Sequence, residues 1–235
     1  MSETTRSIYG AKDPVELPAY GLVDAARLLR LPTATVRAWT LGQRYAKGAK
    51  LFRPVVEIAD RSERMLSFRN LVELHILSAI RREYGVSLQS VRKAVDFMRK
   101  RLRTEHPLAS RRMLTDGKDL LIEHGENLLN ASRGGQGELK IVEACLQRIE
   151  FSKSGALQRF YPFTTTSPEH DEHSVVIDPR VQFGRPCLRD TGIPTEVVNE
   201  RFLAGESPAA IAVDYGVDLT RVLDAVRFEG VVRAA

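Results

Sequence analysis

The chain has 235 residues, 43% of them hydrophobic and 28% charged, which is enough for a buried core and roughly one to three domains. It shows no apolar stretch behind a basic leader and no long apolar run, so neither export nor a membrane span is expected. Its two cysteines, Cys145 and Cys187, stand far apart and outside any CxxC spacing. They read as buried thiols in a reducing compartment, with the cytoplasm the expected location. The formal charge of +5 conceals a gradient: residues 1–106 carry 20 Lys/Arg against 11 Asp/Glu, residues 107–165 carry 8 against 7, and residues 166–235 carry 7 against 12. A basic first half attracts a polyanion and an acidic tail repels one, so the two ends are expected to serve different partners.

In chain order, the first fifteen or so residues mix Gly, Pro and charge without periodicity and read as an arm. The stretch AARLLRLPTATVRAWT follows. A helix over Val23 to Leu29, with the small Ala26 at the crossing point, and a second from Thr33 to about Leu41, with Thr33 as cap and Val36 facing back, make a helix-turn-helix. Between Lys50 and Ser67, LFRPVVEI and RMLSF are β-prone runs separated by the polar ADRSE, which predicts a wing. Ser67 then caps a helix through Tyr84, Gly85 ends it, and Ser87 opens another with Leu88, Val91, Val95, Met98 and Leu102 on one seam. That seam suits either its own domain or a dimer partner.

From Arg111 to Phe163 the pattern changes to hairpins around Asp116-Gly117 and His124-Gly125. A helix over about Glu138 to Arg148 and the strands IEFS and QRFYPF follow. Thr164 to His173, polar and aperiodic, reads as a linker. Beyond it, SPAAIAVDYGVDLTRVLDAV repeats the spacing of the opening unit. Ala212, Gly216, Val217 and Val222 stand at the intervals of Ala26, Arg30, Leu31 and Val36. The second unit has the turn glycine; the first has the positive charge. Since each phosphate neutralised by Lys or Arg adds affinity, the first is expected to read DNA and the second to bind protein or dimerise.

The expected architecture is mainly α with small β elements: a winged helix-turn-helix over 1–106, an α+β middle region over 107–165 available for dimerisation, and over 174–235 a β-hairpin with a trihelical unit. No phosphate loop, nucleophile elbow or HExxH motif occurs, so no enzyme and no cofactor are expected. His170 and His173 in EHDEH read as a solvated charge run, not a metal site.

Residues 20 to about 103 resemble the MerR-type winged helix-turn-helix. TVRAW at Thr35 to Trp39 stands where that family has Thr-Leu-Arg-Tyr-Tyr, and RMLSFRNLVELHILSAIRREYGVSLQSVRKAV continues as its wing and following helices do. The resemblance implies that Arg37 and Trp39 touch phosphates, that Thr33 and Thr35 face the groove, and that Arg53 and Arg69 clamp the flanking backbone. Arg30 in the turn is a departure from the pattern.

Residues 175 to 230 resemble a small domain of unknown function found in VapB-type antitoxins, on VVIDPRVQFGRPCLRDTGIPTEVV and the helical unit after it. Asp178-Pro179, Gly184, Pro186, Thr191 and Pro194 match its pattern, while Asp190 and Gly192 stand where Gly and Arg are common. The two resemblances together imply an antitoxin that neutralises a PIN-like (VapC-type) ribonuclease and, as a homodimer on double-stranded operator DNA, represses its own operon. Arg185 and Arg189 are then the candidates to enter the toxin's carboxylate cluster. The alternative is a MerR-like ligand-responsive regulator without a toxin partner.

Overall fold

The computed structural model describes residues 12–44, 51–84, 88–111, 145–162 and 173–234. Residues 14–16 already form a packed 3-10 turn: Asp13 accepts from the Val15 N–H at 3.0 Å, and the Val15 side chain is buried. The expected arm is thus fixed at least from Asp13 onward.

Helix α1 (Leu22–Leu29) presents Ala25, Ala26, Leu28 and Leu29 to the interior. It ends at Arg30 in the left-handed conformation, φ 54°, whose N–H reaches the carbonyls of Ala26 and Arg27. Helix α2 (Thr33–Thr40) starts from Pro32, so Thr33 is the first helical residue and not the expected cap. Val36, Trp39 and Thr40 are its buried residues. Trp39 also accepts the N–H groups of Val55 and Val56, at 2.8 and 3.1 Å, tying the segment after the wing to α2.

The wing differs from its expected pairing. Its strands are β1 (Gln43–Arg44) and β2 (Leu51–Phe52), antiparallel with Gln43 opposite Phe52. Val55, Val56 and Ile58 leave the ladder to enter the core. Residues 60–65 close as a tight turn through reciprocal Asp60–Met65 bonds, and Asp60 accepts from Ser62 and Glu63. Burial of three apolar residues outweighs a longer two-stranded ladder, which is marginal in water.

Helix α3 (Phe68–Tyr84) begins as read: Ser67 Oγ accepts from the Asn70 N–H and Asn70 Oδ1 from the Ser67 N–H. Leu71, Val72, Leu74, Ile76, Leu77 and Ile80 are buried along it, as are Asn70, Glu73, His75 and Ser78, so α3 is the central helix of the fold. Helix α4 (Leu88–Leu102) spends its seam internally. Val91, Val95 and Met98 lie in the same core, with Leu88 and Leu102 packed at its edge. The terminal Gly85, the hairpins around Asp116 and His124, and nearly all of the linker lie outside the described residues.

Strands β3 (Ile149–Phe151) and β4 (Leu157–Phe160) fall in the expected runs IEFS and QRFYPF and pair antiparallel with each other, with an irregularity at Glu150/Phe151. Phe160 and Ile177 then exchange both backbone bonds, at 3.0 and 2.8 Å, leading into β5 (Val175–Val176), which pairs with β6 (Cys187–Leu188). Helices α5 (Thr195–Leu203), α6 (Pro208–Tyr215) and α7 (Leu219–Ala234) complete the chain.

One core runs from Val15 through α1–α4 and the β3–β4 pair to Val175, Ile177 and Phe228; a second, smaller one holds Leu188, Val198, Ile211, Ala212, Val222 and Ala225. Val175, Ile177 and Phe228 thus join residues beyond the expected linker to the core of those before it. No described helix is long and apolar enough to cross a membrane.

Candidate nucleic-acid interface

The two helix-turn-helix units share one turn. Gly216 (φ 62°, ψ 37°) caps α6 as Arg30 (φ 54°, ψ 45°) caps α1, its N–H reaching Ala212 and Val213 carbonyls where Arg30 reaches Ala26 and Arg27. Val217 N–H bonds Ala212 O at 3.0 Å and Leu31 N–H bonds Ala26 O at 2.9 Å. Arg30 thus adopts the geometry that glycine supplies in the second copy. A left-handed L-residue costs roughly 1–2 kcal/mol, which the rest of the fold must offset.

On the first unit, Thr33, Ala34 and Arg37 are exposed, and Thr35 is half-buried at the edge. Arg27 and Arg30 are exposed beside the turn. An exposed N-terminal helix face carrying hydroxyls and Arg37 is the arrangement that enters a major groove. Trp39 does not join it. At 5% exposure its ring is part of the main core, which leaves little of it for the expected phosphate contact.

Arg53 is exposed on the wing side, as read, and its carbonyl accepts from Arg92 Nε at 2.7 Å. Between the wing and α4 lies a groove of about 810 Å³ with Arg53, Arg61, Arg92, Lys93 and Arg99 against Glu57 and Asp96. Arg99 is held by Asp96 at 3.0 Å and Arg61 lies 3.6 Å from Glu57, but the cations remain in excess. Arg92, Lys93 and Arg99 stand off the apolar seam of α4, and those steps are the signal for this site in the sequence. Arg69 bonds Glu16 at 2.5 Å and so pins the first turn of the chain.

The acidic unit is different. Arg185 pairs with Glu196, and Arg189 lies 3.6 Å from Asp190 while its carbonyl accepts from Arg221. Arg201 holds Glu206 and Asp214, each at 2.6 Å, and lies over the Tyr215 ring. Its charge is thereby stabilised well above the ordinary range, Glu206 first among the causes. A small cleft of about 190 Å³ opens between the units, lined by Tyr20, Asp24, Arg27, Phe183, Arg185 and Glu196 among others.

Of the thiols, Cys187 is buried and burial pushes it up to about 11, so it is an inert core group. Cys145 is half-buried, not buried as read, with its Sγ 2.7 Å from His75 Nε2. Among the described residues no group of three or more His, Cys, Asp or Glu is arranged to hold a metal.

A family model described as "Putative DNA-binding HTH domain" matches residues 18–95, and one described as "Protein of unknown function (DUF433)" matches residues 175–228. The "Putative antitoxin VapB45" of Mycobacterium tuberculosis is 30% identical over 230 residues, spanning 90% of this chain and 93% of its own. The chain belongs to the family of that antitoxin. A second relative in the same organism, "Uncharacterized protein Rv2308", is 22% identical over 229 residues, with 94% of this chain and 92% of its own covered. The crystal structure of Rv2018 from Mycobacterium tuberculosis superposes with a TM-score of 0.68 at 28% identity, over 89% of this chain and 98% of that one. The family thus joins a helix-turn-helix at its N-terminal end to the DUF433 unit, which coincides with the second helix-turn-helix described above.

Proposed function

We propose that the chain is the antitoxin of a type II toxin–antitoxin pair: it neutralises a PIN-like, VapC-type ribonuclease and represses its own operon by binding operator DNA as a homodimer. The carrying observation is the exposed face of Thr33 and Arg37, with the half-buried Thr35 at its edge, on the basic unit of a chain related along nearly its whole length to a VapB45-type antitoxin. Arg53, exposed on the wing side, is assigned to the flanking backbone. The helix places side chains into the groove, and the basic wing and α4 contact flanking phosphates.

Two-fold symmetry supplies the second reading helix about 34 Å away. The α4 seam is committed to the chain's own core, so the dimer forms through another surface. Arg185 and Arg189 are the residues we assign to the toxin's acidic, metal-holding site. Each already faces a carboxylate, so toxin binding exchanges one Arg–carboxylate pair for another and leaves no arginine buried alone.

The test is co-expression with a PIN-like ribonuclease sought among the products of the adjacent genes. Relief of its growth arrest, together with a salt-sensitive gel shift on the upstream DNA, is the expected result. DNA binding that answers to a small molecule, with no ribonuclease encoded nearby, points instead to a ligand-responsive regulator.

A further inference from the structure

The second helix-turn-helix keeps the geometry of a DNA reader and has changed its face. Where α2 exposes Thr33 and Arg37, the matching positions of α7 are Leu219, exposed, and Leu223, half-buried. Where α1 exposes Arg27, α6 carries Val213, 83% exposed. At the end of α5, Phe202 and Leu203 are also exposed. Single exposed apolar residues are ordinary, but these stand at the ends of three adjoining helices whose own small core is already complete. Arg201 brings two of those ends together by bonding Asp214 and Glu206 and lying over Tyr215.

We propose that Phe202, Leu203, Val213 and Leu219 form the docking face for a basic protein partner. The proposal rests on the antitoxin reading above, and the partner is the ribonuclease toxin. Charge selects that occupant. Glu200 and Asp218 are exposed beside these residues, with Asp214 there but held by Arg201, and residues 166–235 carry 7 Lys/Arg against 12 Asp/Glu. Duplex DNA is repelled, and leucine at the groove-facing positions offers phosphate nothing. A second copy would bring two acidic rims together, which like-charge juxtaposition disfavours. A ribonuclease, basic around its substrate groove, presents the complementary sign. Apolar anchors inside a charged rim are the usual anatomy of such an interface.

The test uses the full chain carrying Val213→Ser and Leu219→Ser together, titrated with the purified ribonuclease encoded beside its gene. Both side chains are exposed, so the melting temperature stays with that of the wild type. The expected result is at least tenfold weaker ribonuclease binding, with binding to upstream DNA and the mass by light scattering unchanged. Undiminished ribonuclease binding overturns the docking face alone and leaves the antitoxin reading standing. A variant that loses self-association instead shows the occupant to be a second copy, which also overturns it. If the wild-type chain does not bind the ribonuclease, the antitoxin reading fails and the docking face falls with it.

Discussion

The Tyr20 hydroxyl donates to the Gly184 carbonyl at 2.8 Å, buried between the two helix-turn-helix units. A Cβ on Gly184 would collide with that hydroxyl, and Gly184 also holds φ 79°. Tyr20→Phe leaves a buried carbonyl unsatisfied and is expected to cost about 1–3 kcal/mol. Gly184→Ala, which adds a clash and a strained φ, is expected to cost more. Thermal unfolding followed by circular dichroism checks both. Because the main core includes Phe228, a single transition is expected, and a fragment covering residues 173–235 should fail to show cooperative unfolding.

Arg37→Ala is expected to weaken operator binding while leaving the melting temperature alone, because the side chain is exposed. Loss of one phosphate contact also reduces the slope of log K against log salt by about 0.9. Trp39→Ala acts by another route. Emptying a site only 5% exposed is expected to cost about 3–5 kcal/mol of stability. A gel shift paired with a melt separates the two, and undiminished DNA binding by Arg37→Ala would remove α2 as the reader.

Lys93→Ala should lower affinity about equally for specific and random duplexes if, as proposed, the basic groove beside α4 serves flanking phosphates and not base edges. Fluorescence anisotropy on both duplexes at two salt concentrations measures this. A loss confined to the specific sequence would contradict the assignment.

Much of the first unit was legible because its signals are local: Ala26 at the crossing, Ser67 at a helix start, and Val36 facing inward follow from spacing alone. The equivalence of Arg30 and Gly216 was visible as an interval, but not that an arginine would accept φ 54°, since no local pattern marks a non-glycine residue for the left-handed region. Trp39 could not be assigned from sequence. Contact and core both place an aromatic at that step, and only the wing return bonded to its carbonyl and the core around its ring decide between them. The joined cores were hidden for the same reason. Ile177 and Phe228 sit in segments that read as a separate domain, and their partners are distant in sequence.

His106 Nδ1 lies 3.0 Å from Glu73 Oε2, and Glu73 is 3% exposed. Burial alone would lower the histidine's pKa, but the hydrogen bond and charge of Glu73 outweigh it, and the net direction is upward from 6.5. With the folded value raised, this pair's contribution to stability is full below pH 6.5 and declines as pH rises through the folded value. The urea midpoint should therefore fall from pH 6 to pH 8 in the wild type, and the part due to this pair should vanish in His106→Gln. An identical pH profile for the two proteins would show that the pair contributes nothing.

Arg30→Gly relieves the left-handed strain but adds freedom to the unfolded chain, for a net gain of about 0.5–1 kcal/mol. Chemical denaturation measures it, and a loss of stability would mean that the arginine's own contacts outweigh its backbone cost.

Helix α7 packs Val222 and Ala225 into the small core and Phe228 into the large one, so it is an axle common to both ends of the molecule. If a protein partner on α7 and DNA on α1 both bind as proposed, this shared helix is the physical link through which one could bias the other. Thermodynamic reciprocity then fixes the bookkeeping of the two events: whatever factor the protein partner applies to DNA affinity, DNA applies to partner affinity. An antitoxin built on such an axle would sense how much free toxin surrounds it through the occupancy of its own promoter.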